Sequence, residues 1–240
     1  MEHSAELLDD YFAAYRDKRI LIEATTLGFA EVYLVTRAFR EMGVRAVSLL
    51  YVEPDYYSQP PRGLDRPLII KRYFELSDEG SGYIAIPGAA GMLTDRRRHR
   101  VVFFLGYEEQ RLARGFEAHP MINANNCAVV LGVPAFKPGW EMNTFANNIH
   151  VIKQFHISGG VHFCGAENPA AAFEVLEGIY SELDAGERMY IAPIGTKPHG
   201  IGAALYAVQN PQVGVLYDHP ARRANRSTDL ARWHLFDVEF

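Results

Sequence analysis

The chain is short of cysteine, of positive charge and of long apolar runs. Only two cysteines, Cys127 and Cys164, occur in 240 residues, and they share no motif spacing. That excludes a disulfide framework and a paired-cysteine redox or zinc motif, and both read as small buried residues in a reducing compartment. The formal net charge of −5 argues against an extended duplex-binding surface, which needs a basic face. It leaves room for a local positive pocket that holds a small anion. No stretch approaches the roughly 18 to 20 apolar residues of a membrane span. The acidic segment 1–10 lacks the apolar core of a signal peptide, so a cytoplasmic protein is expected. Also missing are a Walker A loop, a Gly-x-Gly-x-x-Gly turn, a Gly-x-Ser-x-Gly elbow and a His-Glu-x-x-His helix, which removes the familiar nucleotide and hydrolase signatures.

What is present is an ordinary globular balance, 48% hydrophobic and 22% charged. Apolar runs of strand length alternate with stretches of helical period. A strand at 19–24, a helix at 29–42 closed by Gly43 and a strand at 45–52 form a βαβ unit. The rhythm breaks over 53–100, where Pro54, Pro60, Pro61, Gly63 and Pro67 disfavour regular elements. This segment reads as an insertion or edge hairpin with short strands at 68–75 and 83–86. Strands at 100–105, 127–133, 161–164 and 189–194 then alternate with helices at 108–118, 144–154, 169–185 and 197–209. Strands at 213–217 and 233–240 close the chain, the last alternating as an edge strand with one wet face. The expected fold is a single Rossmann-like α/β domain over 1–240, its mainly parallel sheet covered by helices on both faces, with an antiparallel edge strand.

The most informative motif is Gly195-Thr196-Lys197, which joins an apolar strand directly to a small-residue helix. Free N–H groups, the helix dipole and the lysine charge would converge there on an anion. Thr196 suits the N-cap and Pro198 the first turn. Thr25, Thr26 and Gly28 follow the first strand and should fall on the same sheet edge, where parallel sheets bind ligands. They serve equally well as a helix cap. Arg222 and Arg223, with Arg226, lie in the loop before the last strand, placed to close over a phosphate or to form a surface turn. His199 and Glu23 are candidate acid/base residues. Otherwise His199 is a polar residue of a first turn, and Glu23 a carboxylate holding a ribose hydroxyl or pairing with an arginine. His150, His156, His162 and Cys164 lack any recognised ligand spacing, so no metal and no cofactor is expected. The run Arg96–Arg100 reads as a solvated loop, and Gly88–Gly91 as a flexible turn.

The pairing of Thr25, Thr26 and Gly28 with a late Gly195-Thr196-Lys197 turn resembles the CRISPR-associated Rossmann fold family and related antiviral second-messenger sensors. That resemblance implies a homodimer whose turns face a shared cleft and bind cyclic or linear oligonucleotides. In some members it also implies metal-free cleavage of the bound ring. The Gly-Thr-Lys turn lies later here than in a compact member, and no effector domain is evident. A stand-alone sensor, a partner of a separate effector subunit and a ring-opening enzyme all fit that pattern. A subunit that docks a partner through Tyr51, Tyr56, Tyr57, Tyr73 and Phe74 is the third reading.

Overall fold

Ten strands and five helices make up the regular structure of the described residues in the computed structural model of the chain. Those residues are 17–58 and 98–240, apart from 158–159, together with 11–12, 15, 74, 76–78, 80–89 and 93. The elements run β1 (Leu21–Glu23), α1 (Phe29–Glu41), β2 (Ala46–Tyr57), β3 (Ser77–Asp78), β4 (His99–Phe104), α2 (Glu109–Ala118), β5 (Cys127–Gly132), α3 (Glu141–Gln154), β6 (Val161–Cys164), α4 (Pro169–Ser181), β7 (Arg188–Pro193), α5 (Lys197–Gln209), β8 (Gly214–Val215), β9 (Ala221–Arg222) and β10 (Ser227–Glu239). The α/β class is as expected.

The larger sheet has the order β6-β5-β4-β7-β8 and is wholly parallel. After β4 the chain moves outward through β5 and β6, then returns to the other side of β4 with β7 and β8. The order therefore reverses at β4/β7, and the crevice beyond their carboxyl ends is where such sheets hold ligands. Side chains alternate across β4. Val101, Phe103 and Leu105 pack with Leu112, Phe116, Val151 and Ile152 of α2 and α3. Val102 and Phe104 face the other way, into a core with Ile201, Ala204, Tyr206 and Val208 of α5. Helices thus cover both faces.

The βαβ unit at the start of the chain does not join that sheet. β1, β2 and β10 form a second sheet, with β1 parallel and β10 antiparallel to β2. Inward-facing Val47 and Leu49 of β2 belong to the same core as Val102 and Ile191 of the larger sheet. The helix layer between the sheets has α5 packed against both α1 and α4. A helix buried on one side only would carry a polar stripe. In α5 every residue from Ile201 to Val208 is buried, and the sequence answers with Gly, Ala, Leu, Tyr and Val throughout.

Three expectations change. The break at Glu53 is misplaced, because β2 continues to Tyr57 along β10. Pro54 is compatible with this because the N–H of Val52 already points toward the β1 side, where it meets Thr25 Oγ1 at 2.9 Å. Two residues on, Pro54 turns its missing N–H to the same side, beyond the last β1 pair at Glu23–Leu50. Residues 83–86 form no strand, and the strand expected at 68–75 lies almost entirely outside the described residues. β10 does alternate, and its outer face carries Asp237 and Glu239 as expected but also exposes Trp233 and Leu235. No described helix is long and apolar enough to cross a membrane.

Close approach of α5 to α4 depends on Gly202. A Cβ there would overlap the Pro169 carbonyl oxygen and stand 3.0 Å from Ala172 Cβ. Gly202→Val is expected to destabilise the protein by about 1–3 kcal/mol or more, since backbone must move to make room. The neighbouring Ile201→Val should cost about 0.5–1.5 kcal/mol. Urea unfolding followed by circular dichroism measures both, and equal losses would contradict the packing argument.

Candidate functional site

A cavity of about 240 Å³ opens at the β4/β7 switch point. Its walls come from both sheets: Gly106, Tyr107 and Glu108 after β4, Ile194 to Lys197 after β7, Thr25 and Gly28 after β1, and Tyr51 and Tyr57 on β2. Two glycines let the turns after β4 and β7 approach. A Cβ on Gly106 would lie 2.8 Å from Ile194 O, and one on Gly195 would lie 3.1 Å from Leu105 O.

Six of the eight expected ligand residues line the cavity: Thr25, Gly28, Gly195, Thr196, Lys197 and Arg222, joined by Arg226. Thr196 is the α5 N-cap. Its hydroxyl accepts from His199 N–H at 3.3 Å and donates to Ala166 O at 2.7 Å, so it shapes the turn. The N–H groups of Gly195, Thr196 and Lys197 have no partner among the described residues. Lys197 Nζ donates to Leu27 O, while Arg222 donates to the carbonyls of Thr25, Thr26 and Leu27. Two cations therefore meet on one turn of neutral carbonyls.

Electrostatics follow from that crowding. Burial, then the neighbouring Arg222 and Arg226, pull Lys197 down to about 7. Glu31 and Glu23 oppose this too weakly to restore it. Arg222 is lowered by burial and by Arg226. The pocket holds more positive charge than its own carboxylates offset, which is the condition for binding an anion.

The other candidates take different places. Thr26 and Arg223 do not line the cavity. Thr26 Oγ1 donates to Glu23 at 2.6 Å, and Arg223 lies 3.8 Å from Asp78. Glu23 faces its own turn, accepting from Thr25 and Thr26 N–H at 2.8 and 3.2 Å. Burial raises its pKa, but the hydrogen bonds from Thr25 and Thr26 prevail and bring it to about 2. So held, it fixes the turn and is a poor proton acceptor. His199 is fully buried, with Nε2 3.0 Å from Gly165 O and 3.3 Å from Cys164 Sγ. Burial lowers it to about 4, so the ring is neutral, and it packs beneath α5 outside the cavity. His150 pairs with Glu109 at 3.2 Å, and no group of three potential metal ligands among the described residues includes His150, His156, His162 or Cys164. From the arginine run, Arg98 pairs with Asp184 at 2.7 Å and Arg100 lies 3.7 Å from Glu187, while residues 94–97 fall outside the described residues.

Sequence reasoning missed the β4 turn and the aromatic wall. Tyr51 and Tyr57 share a hydroxyl hydrogen bond, and burial raises the pKa of both. Tyr57 meets Tyr107 edge-on, and Tyr107 lies on Phe74, which is 6% exposed. These aromatics face the cavity or the core, whereas Tyr56 is exposed and Tyr73 lies outside the described residues. Glu108 accepts from Leu76 N–H, Ser77 N–H and Ser77 Oγ at 2.8–2.9 Å, which ties Leu76 and Ser77 to the site's rim. Arg111 forms a bidentate pair with Asp218 at 2.8 and 2.5 Å behind it. The signal for the β4 turn was Leu105-Gly106-Tyr107-Glu108 after an apolar strand, the same grammar as Gly195-Thr196-Lys197. No protein-family model matches the chain, and no curated protein matches it.

Proposed function

We propose that the chain binds a phosphorylated nucleotide ligand, with the phosphate in the cavity at the β4/β7 switch point. The observation that carries this reading is the convergence of Lys197, Arg222 and Arg226 with three unpartnered N–H groups of the turn before α5. A cavity of about 240 Å³ is below the roughly 300 Å³ at which typical small-molecule sites begin, so it takes one phosphate-bearing unit of a ligand. The tyrosine wall is suited to packing against a base or sugar. A cyclic or linear oligonucleotide would place its remaining units outside this cavity, in a homodimer against a second copy. The antiviral sensor role, a separate effector subunit and a cytoplasmic setting belong to the same proposal.

The test is a thermal-shift panel of mononucleotides and of cyclic di-, tri- and tetranucleotides on wild type and Arg222→Ala, with the oligomer followed by light scattering. A ligand present at about 100 times its Kd stabilises the native state by about 2.7 kcal/mol, a readily measured shift. At least one ligand should shift the wild type, and Arg222→Ala should reduce that shift. No shift across the panel, or an equal shift in the variant, would sink the reading.

One observation favours a second reading, that of an enzyme. A lysine at about 7 is poised to give or take a proton near neutral pH. Chromatography of ligand recovered after prolonged incubation separates the two: intact ligand supports a sensor, and an opened or hydrolysed product supports an enzyme that Lys197→Met should silence.

A further inference from the structure

Glu53 faces inward from β2 and is 1% exposed, yet its Oε1 has no hydrogen-bond partner among the described residues. Its Oε2 lies 3.0 Å from Nε2 of His234 on β10. Glu167, in the loop between β6 and α4, brings a second carboxylate. One donor atom from each of Glu53, Glu167 and His234 lies within 4.8 Å of the others. Arg232 forms long ion pairs with both carboxylates at 3.6 Å but donates a hydrogen bond to neither; its side chain is 58% exposed, and Nη2 donates to Phe136 O. The buried Oε1 of Glu53 is thus left without a donor among the described residues, a deficit that a directly coordinated cation would meet. A groove of about 780 Å³ between α4 and β10, lined by Glu167 and His234, connects the group to solvent.

We propose that Glu53, Glu167 and His234 form a divalent transition-metal site, separate from the phosphate cavity. One imidazole and two carboxylates suit Mn²⁺ or Zn²⁺ better than Ca²⁺, which takes oxygen ligands only. The geometry is close to what such an ion needs. Ligands about 2.1 Å from an octahedral centre are separated by about 3.0 Å when adjacent and about 4.2 Å when opposite. The Glu53–His234 separation matches the first, and the 4.8 Å bound requires only a small inward rotamer shift by the half-exposed Glu167. The bound ion would clasp β10 to β2 and to the loop that starts α4, with its remaining positions open to water in the groove. Sequence gave no hint, because the three residues are 114 and 67 positions apart (53 to 167, then 167 to 234).

The test is titration of chelator-stripped full-length protein with MnCl₂, read by loss of the free-ion electron paramagnetic resonance signal, and with ZnCl₂ by calorimetry. One equivalent per chain is expected for at least one ion. Affinity should fall about tenfold or more in Glu53→Gln, His234→Gln and Glu167→Gln. Glu167 is solvent-facing, so Glu167→Gln is expected to fold normally, with an unchanged circular dichroism spectrum, and keeps the test valid if Glu53→Gln does not fold. Arg232→Gln, which removes a competing cation, should bind at least as tightly as wild type, and Lys197→Met should bind equally. Absence of stoichiometric binding by either ion, binding that survives Glu167→Gln and His234→Gln, or binding abolished by Arg232→Gln would overturn the proposal.

Discussion

Under the proposed function, Lys197→Met is expected to weaken, by roughly 10- to 150-fold, binding of whichever panel nucleotide shifts the wild type, the loss of one charge-assisted contact worth about 1.5–3 kcal/mol. The pH dependence should change with it. Anion binding favours the ammonium form, so a lysine at about 7 in the free protein takes up a proton when the ligand binds. Affinity should be highest below pH 7 and fall as pH rises above it, by at most tenfold per unit. A phosphodiester ligand has no ionisation of its own near neutrality, which assigns the slope to the protein. In Lys197→Met the slope should vanish. Stability of the free protein carries the opposite sign. Between about pH 7 and the ordinary lysine value of 10.5 the unfolded chain keeps a proton that the folded chain has released, so wild-type stability rises with pH across that window. Lys197→Met should lose that rise and be stabilised relative to wild type at pH 6. A variant that binds as well as wild type, or a wild type with a flat binding profile from pH 6 to 9, would remove Lys197 from the site.

Asp218→Ala is expected to cost about 3–5 kcal/mol in stability, the penalty for leaving one member of a buried ion pair without its partner. Asp218 and Arg111 side chains are 6% and 11% exposed and joined by two hydrogen bonds, so little water is at hand to replace the carboxylate. Arg111 also lines the cavity, and the freed guanidinium would add positive charge there. The double variant Arg111→Met/Asp218→Leu should recover most of the loss, because apolar residues of similar size avoid the desolvation that the ions suffer. Chemical denaturation of the two singles and the double completes the cycle. A loss in Asp218→Ala no larger than that of an exposed ion pair, about 0–1 kcal/mol, would mean the pair is solvated in solution.

Two of the site's three turns, those after β1 and β7, were legible because their signals are local, while the turn after β4 was missed. Gly195-Thr196-Lys197 is a strand end, an N-cap and a first helical residue in consecutive positions, and Thr25 to Gly28 repeats the pattern earlier. Their roles were less legible. Thr196, Thr26 and Glu23 are the kinds of residue that touch ligands, but each spends its side-chain oxygens on neighbouring backbone or side chains that shape the turns. His199 looked reactive beside Lys197, but at that point the helix turns the side chain under itself, toward Cys164 and Gly165. The error at Glu53 has the same origin. Proline and tyrosine after Val52 suggest an interruption, and only a partner strand 170 residues later, pairing Leu230 with Pro54 and Ser227 with Tyr57, carries β2 onward.

The sequence by itself determined the order of the main strands and helices outside 53–100, the α/β class and the presence of two Gly- and Thr-bearing turns at strand ends. Periodicity, caps and helix-breaking residues act over a few positions and need no knowledge of the rest of the chain. Tertiary structure alone decided which strands share a sheet, that α5 is buried on every side, and that Lys197, Arg222 and Arg226 face one another at the β4/β7 crevice. It also brought Glu53, Glu167 and His234 together. These are contacts between residues tens to nearly two hundred positions apart. They arise from burying the faces of two sheets against one helix layer, and no local pattern encodes which faces meet.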